Sequence, residues 1–162
     1  MSSATTPLAL GQGLLKRNAS LSAEDFRKHY IGRHGPTAIP WFLANGVIYY
    51  AQIHRPLAWT SPEAASKHSK TIPDLSAWDA AVELGLPPRM GLEDMDKAQR
   101  YYSEVILPDE RMTFLTEALQ HMTNVGPGSV TGERVEFIVD GKMVVEYEEW
   151  KAVFEKYQKE EK

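Results

Sequence analysis

At 162 residues the chain suits one domain of ordinary size, which buries roughly 70% of its unfolded surface. Its 43% hydrophobic and 25% charged residues describe a globular protein, and a net charge of -4 argues against nucleic acid or an anionic membrane as main partner. The absence of cysteine removes disulfides, thiolate metal ligands and cysteine nucleophiles together, and suits a reducing, cytoplasmic setting.

Residues 1–13 are small and polar apart from Leu8, Ala9 and Leu10. They lack the basic start and the apolar core of about 7–15 residues that mark a signal peptide, and read as a flexible tail. No run approaches the roughly 20 apolar residues that span a bilayer. Leu14-Leu15-Lys16-Arg17 is a short strand candidate. Ser22 stands as a helix N-cap before Ala23, Glu24 and Asp25. Phe26, Tyr30 and Ile31 follow at helical spacing, and Gly32 with Gly35-Pro36 is expected to end or bend this helix. A second helical piece is expected over 37–44, closed by Asn45-Gly46.

Val47 to His54 is the clearest strand, β-branched and aromatic, with Pro56 as its stop. Alternation puts Val47, Tyr49, Ala51 and Ile53 on one side, read as covered by helices. Ile48, Tyr50, Gln52 and His54 fall on the other, an apolar face with polar tips that suits a pocket lining. Residues 55–76 read as a long connection of the lid or mobile type. Trp78 to Leu84 resumes a strand, with Asp79, Ala81 and Glu83 opposing Trp78, Ala80, Val82 and Leu84. An amphipathic helix is expected over 92–102, a further helical turn from Pro108-Asp109-Glu110 to about Ala118, and a fourth strand over 119–125.

The order strand, helix, strand, strand, helix, strand is the ferredoxin-like βαββαβ pattern of the α+β class. Such a sheet carries helices on one face only, and pairing two of them closes a barrel as a homodimer. Residues 14–128 then form the barrel domain. Residues 129–162 form an extension: a hairpin turning at Asp140-Gly141, then a charged helix over 150–159. It is expected to pack on the barrel or on the partner subunit.

Five segments carry a family resemblance: Leu14 to Arg17, Ser22 to Tyr30, Arg33-His34-Gly35-Pro36, Trp78 to Glu83, and Tyr102 to Glu110. In this order and spacing they resemble the EthD-type branch of the dimeric α+β barrels, over about Leu14 to Val125. Within that branch the chain is similar to small fungal polyketide-tailoring proteins described as decarboxylases of polycyclic aromatic acids such as atrochrysone carboxylic acid. The resemblance implies a homodimer, an aromatic polyketide as small-molecule ligand, and no cofactor.

His34, where a helix meets a Gly-Pro turn, is a candidate proton carrier. His54 shares its strand face with Tyr50 and Gln52, offering an imidazole, a phenol and an amide along one side. Asp79, in a strand otherwise apolar, needs a partner, and pairing with a histidine would raise that ring's basicity. His34, His54, Asp79 and Tyr50 are therefore the catalytic candidates. Gln52, Trp41, Trp78, His121 and Tyr102 are the candidates for substrate binding. His29 and His68 read as solvated, Asp109 as a helix-start acid, and no metal-binding, phosphate-binding or nucleophile-elbow motif stands out. Loss of CO₂ from a β-keto acid needs only groups of this kind. A dehydratase or cyclase would use the same set; a cofactor-free monooxygenase and a non-catalytic ligand-binding barrel remain the alternatives.

Overall fold

A computed structural model describes residues 10–160. The first strand, β1 (Leu10–Leu15), begins earlier than the apolar run Leu14-Leu15 implies, so Leu10 to Gly13 belong to the sheet and not to a tail. Gly13 looks unsuited to a strand, yet the Met122 side chain fills the place where its Cβ would stand. Sequence alone does not carry that close approach.

Ser22 caps α1 (Ala23–His29), its hydroxyl accepting the Asp25 N–H at 3.0 Å. The glycines and proline beyond do not end the helix. Tyr30–His34 forms one π turn, closed by the Gly35 N–H on the Tyr30 carbonyl, and α2 (Gly35–Ala44) continues from it. Pro36 has no N–H to give, and the wider turn before it absorbs the missing bond. The second half repeats the device. After α3 (Pro62–His68) and a short 3₁₀ turn at Leu92–Asp94 come α4 (Gln99–Tyr101), a π turn at Tyr102–Ile106 and α5 (Leu107–Thr113). Pro108 follows the second π turn as Pro36 follows the first.

Strand β2 (Tyr49–Trp59) does not stop at Pro56. Its pairing with β5 (Val130–Val139) skips from His54↔Glu133 to Ala58↔Thr131, so Pro56 lies in an irregularity where no ladder bond is lost. Strand β3 (Ala80–Gly85) starts after Trp78 and Asp79. The expected strand over 119–125 is instead α6 (Ala118–His121) followed by β4 (Thr123–Val125). The chain closes with β6 (Lys142–Met143) and α7 (Glu148–Glu160). Asp140 and Gly141 both take positive φ in the tight turn between β5 and β6.

The sheet is antiparallel in the order β4-β1-β3-β2-β5-β6. Its first four strands have the ferredoxin-like arrangement of an α+β fold. The C-terminal hairpin extends the same sheet along β2 rather than sitting outside it. The faces of β2 are reversed from the expectation: Tyr50, Gln52 and His54 lie beneath the helices, where Tyr30 and Phe42 meet them. On the other face, residues 60–79 pack Ile72 and Leu75 against Leu14, Ile53 and Ala81, so this connection is core cover and not a lid over the helix side. No helix among the described residues is long and apolar enough to cross a membrane.

Gly35 fixes how closely the first helix approaches the sheet. A Cβ there would stand 2.5 Å from a Phe137 ring carbon and 2.9 Å from Gln52 Nε2. Alanine should gain about 1 kcal/mol of helix propensity, but Phe137 is fully buried and stacked on Tyr50 and cannot retreat. Gly35→Ala is therefore expected to lower stability by a net 1–3 kcal/mol or so, read as a lower denaturant midpoint at unchanged slope.

Candidate functional site

Between the sheet and the two π-turned helices lies a cavity of about 110 Å³, lined by Leu15, Val82 and Leu84 below and by Trp41, Tyr102 and Phe114 above. It shares Val82, Leu84, Leu92 and Met122 with an outer cavity of about 590 Å³ that opens along β1 and β3. The two adjoin at these apolar side chains, and the outer one falls within the size range of small-molecule sites. His34 and Glu110 face the inner end.

His34 is the last residue of the first π turn and is 5% exposed. Its Nδ1–H donates to Asp109 Oδ2 at 2.7 Å, which leaves Nε2 as the nitrogen free to exchange a proton on the cavity side. Nε2 has no hydrogen-bond partner among the described residues, and Phe114 holds the ring edge-on at 5.1 Å. Asp109 comes from α5, just past the second π turn. It also accepts from His29 Nε2 at 3.0 Å and Arg33 Nε at 3.1 Å. Burial pushes the Asp109 pKa up, but the His34 hydrogen bond and the His34 and His29 charges outweigh it and hold the carboxyl below its usual value.

The next residue behaves in the opposite sense. Glu110 is buried in the cavity wall, and its one hydrogen bond among the described residues is from the Ala118 N–H at 3.2 Å. Burial above all, with repulsion from Glu117 and Asp109, raises its pKa; His34 and the Ala118 N–H offset this only in part. Two neighbouring carboxyls with pKa values driven apart, beside one imidazole, make an acid–base constellation.

Of the residues singled out from sequence, His34, Tyr50, Trp41 and Tyr102 line this cavity. Trp41 and Tyr102 stack with centroids 4.7 Å apart. Gln52 and His54 lie buried behind Tyr50. His54 Nε2–H donates to Gln52 Oε1 at 2.8 Å, and burial, aided by Arg27, lowers its pKa to about 4. It borders a separate cavity with Asp79, Arg27 and Arg55, so His54 and His34 do not meet. Asp79 pairs with no histidine: it accepts the Arg17 N–H at 2.9 Å and forms ion pairs with Arg17 and Arg55. Preceding β3, it reaches the arginines at the sheet's end. Trp78 packs with the cluster on the far face, the Lys16 ammonium 4.7 Å from its ring. His121 sits in α6 with both nitrogens engaged, Nε2 accepting the Lys16 N–H and Nδ1 meeting Thr116 Oγ1.

Asp109, Glu110, Tyr30 and Phe114 escaped the sequence reading, and His29 and His68 are not merely solvated. His29 binds Asp109; His68 stacks on Trp59 and accepts the Gly126 N–H. Asp109 and Glu110 read as first-turn acids only if a helix starts at Pro108. Here the helix starts at Gln99 and they are interior. Apolar Val105, Ile106 and Leu107 just upstream were the available signal. No cluster of His, Asp and Glu among the described residues is arranged to hold a metal ion.

One protein family, described as EthD domain, matches residues 18–118, a span that carries His34, Asp109 and Glu110. No curated protein and no solved structure matches the chain.

Proposed function

The chain belongs to the EthD domain family, and from that membership and the chemistry of its cavity we propose a cofactor-free lyase that decarboxylates a polycyclic aromatic polyketide acid. The observation that carries this reading is the Asp109-bound His34 facing the same apolar cavity as the high-pKa Glu110. A substrate carboxylate enclosed among Val82, Leu84 and Phe114 loses hydration. The bond between it and the ring carbon breaks, CO₂ leaves, and the electron pair passes into the enolate of the neighbouring ketone. Tyr50 and protonated Glu110 face the enolate oxygen as donors. His34 Nε2 delivers the proton to carbon, with the Asp109 carboxylate stabilising the charged ring. One proton is taken up for each CO₂ released. Stacked Trp41 and Tyr102 give an aromatic ring a flat wall, and the outer cavity takes the remaining rings.

The adjacent base and acid would also serve a dehydration, with His34 removing a proton and Glu110 protonating the departing hydroxyl. Products separate the two. With the bicyclic β-keto acid α-tetralone carboxylate, the protein is expected to accelerate release of CO₂ and α-tetralone over the spontaneous rate, undiminished after dialysis against a chelator. Loss of water from a β-hydroxy ketone without CO₂ would favour the dehydratase; no turnover of either class would leave a ligand-binding barrel. The proposal extends to a cytoplasmic homodimer, for which light scattering should give twice the chain's mass.

A further inference from the structure

Strand β2 places His54, Gln52 and Tyr50 at alternate positions on its helix-covered face, exposed by only 2%, 0% and 1%. Three polar side chains in a row are an expensive way to fill a core that Val82 and Leu84 fill on the neighbouring strand. Their hydrogen bonds leave little freedom. Gln52 Oε1 only accepts, so His54 Nε2 must carry the hydrogen of the 2.8 Å contact. That contact fixes the amide, whose NH₂ donates to the Tyr30 carbonyl at 2.7 Å and to the Tyr50 hydroxyl oxygen at 3.2 Å. With its oxygen accepting from behind, Tyr50 has its own hydrogen left for the cavity it lines beside His34 and Glu110.

We infer that His54 is a positioning residue: acting through Gln52, it holds the Tyr50 hydroxyl as a hydrogen-bond donor aimed at a carbonyl oxygen in the inner cavity. Without the His54 N–H, the Gln52 amide loses one of the two contacts that fix it, and only the Tyr30 carbonyl opposes its turning over. The amide oxygen then faces Tyr50, and the phenol donates backwards to Gln52 instead of forwards to the ligand. The inference rests on the proposed reading that a ketone or its enolate occupies this cavity.

The test uses the whole protein and α-tetralone, the ketone that the proposed reaction releases. Infrared spectroscopy of the bound ketone should show its carbonyl stretch at lower wavenumber in the wild type than in Tyr50→Phe. His54→Phe should lose most of that shift. His54→Gln, which retains an N–H donor, should keep it. In the Tyr50→Phe background His54→Phe should add nothing, because the two residues act in series. In turnover, His54→Phe should lower kcat about tenfold with KM within about twofold. Additive losses in the double variant, an unmoved carbonyl stretch in His54→Phe, or failure of the wild type to bind α-tetralone would each overturn the inference. Should His54→Phe not fold, Gln52→Met breaks the same chain and must give the same loss of shift. The decarboxylase reading fails separately, if His34→Ala retains full turnover, and such a result leaves the infrared comparison standing.

Discussion

His34→Ala is expected to lower kcat by about 10²–10⁴-fold with little change in KM, because the one imidazole that lines the inner cavity among the described residues disappears. Asp109→Asn should approach the same loss by another route. An asparagine carries no charge to stabilise the protonated ring from which Nε2 delivers its proton, and an NH₂ turned toward His34 Nδ1 opposes a hydrogen there. Asp109 is also the anchor of His29 and Arg33, so its loss leaves His34 buried without its carboxylate. Removing one partner of such a buried pair costs about 3–5 kcal/mol. The pH dependence has a definite sign. The folded pKa of Asp109 lies below the unfolded value near 3.8, so its contribution is present above that value. It is lost as pH falls through the folded pKa. Wild type should therefore approach the stability of Asp109→Asn in strong acid and exceed it at neutral pH. Denaturant unfolding across that range, with kcat measured at neutral pH, checks both halves. Equal stabilities at neutral pH would remove Asp109 from this role.

Glu110→Gln is expected to separate activity from stability. The acid form of Glu110 donates a strong hydrogen bond to the enolate oxygen, and a glutamine amide donates only a weaker one. A fall in kcat of about 10²-fold is expected, together with loss of the alkaline limb of the kcat profile that the Glu110 ionisation produces. Stability should move the other way. With a folded pKa raised above the unfolded value of 4.5, Glu110 contributes its full stability below that value. This contribution is lost as pH rises through the folded pKa, where an ionised carboxylate must remain in an apolar wall. The glutamine variant escapes the penalty. Its advantage over wild type should be absent in acid and grow toward neutral pH, a gain in stability at the expense of function. A variant destabilised at neutral pH, with kcat intact, would make Glu110 a structural acid.

Much of the fold was legible because the local signals are strong. The alternation from Val47 to His54, the Ser22 cap and the Asp140-Gly141 turn each depend on residues close in sequence. The faces of β2 were not legible. A period of two separates Tyr49, Ala51 and Ile53 from Tyr50, Gln52 and His54, but which set meets the helices depends on how the βαβ connections cross. Asp79 shows the same limit. A carboxylate among apolar residues announces a need for a partner, and three-dimensional proximity chose Arg17 and Arg55 over any histidine.

The segment Arg33-His34-Gly35-Pro36 draws the boundary most clearly. By itself the sequence determined that an imidazole stands beside a glycine and a proline after an amphipathic helix, and that the chain is of the α+β class. Only the tertiary structure decided that Arg33 and His34 both reach Asp109, 76 and 75 positions away. The first π turn holds Arg33 and His34, the second comes just before Asp109 and Glu110, and each displaces the helical register by about 100°. Counting by 3.6 from Ala23 or from Gln99 therefore assigns the residues beyond it to the wrong face. The extra residue turns Asp109 and Glu110 inward to meet His34. Pro36 and Pro108, which have no N–H to give, mark where each turn widens, but which side chains the extra residue brings together is a long-range matter that no local pattern contains.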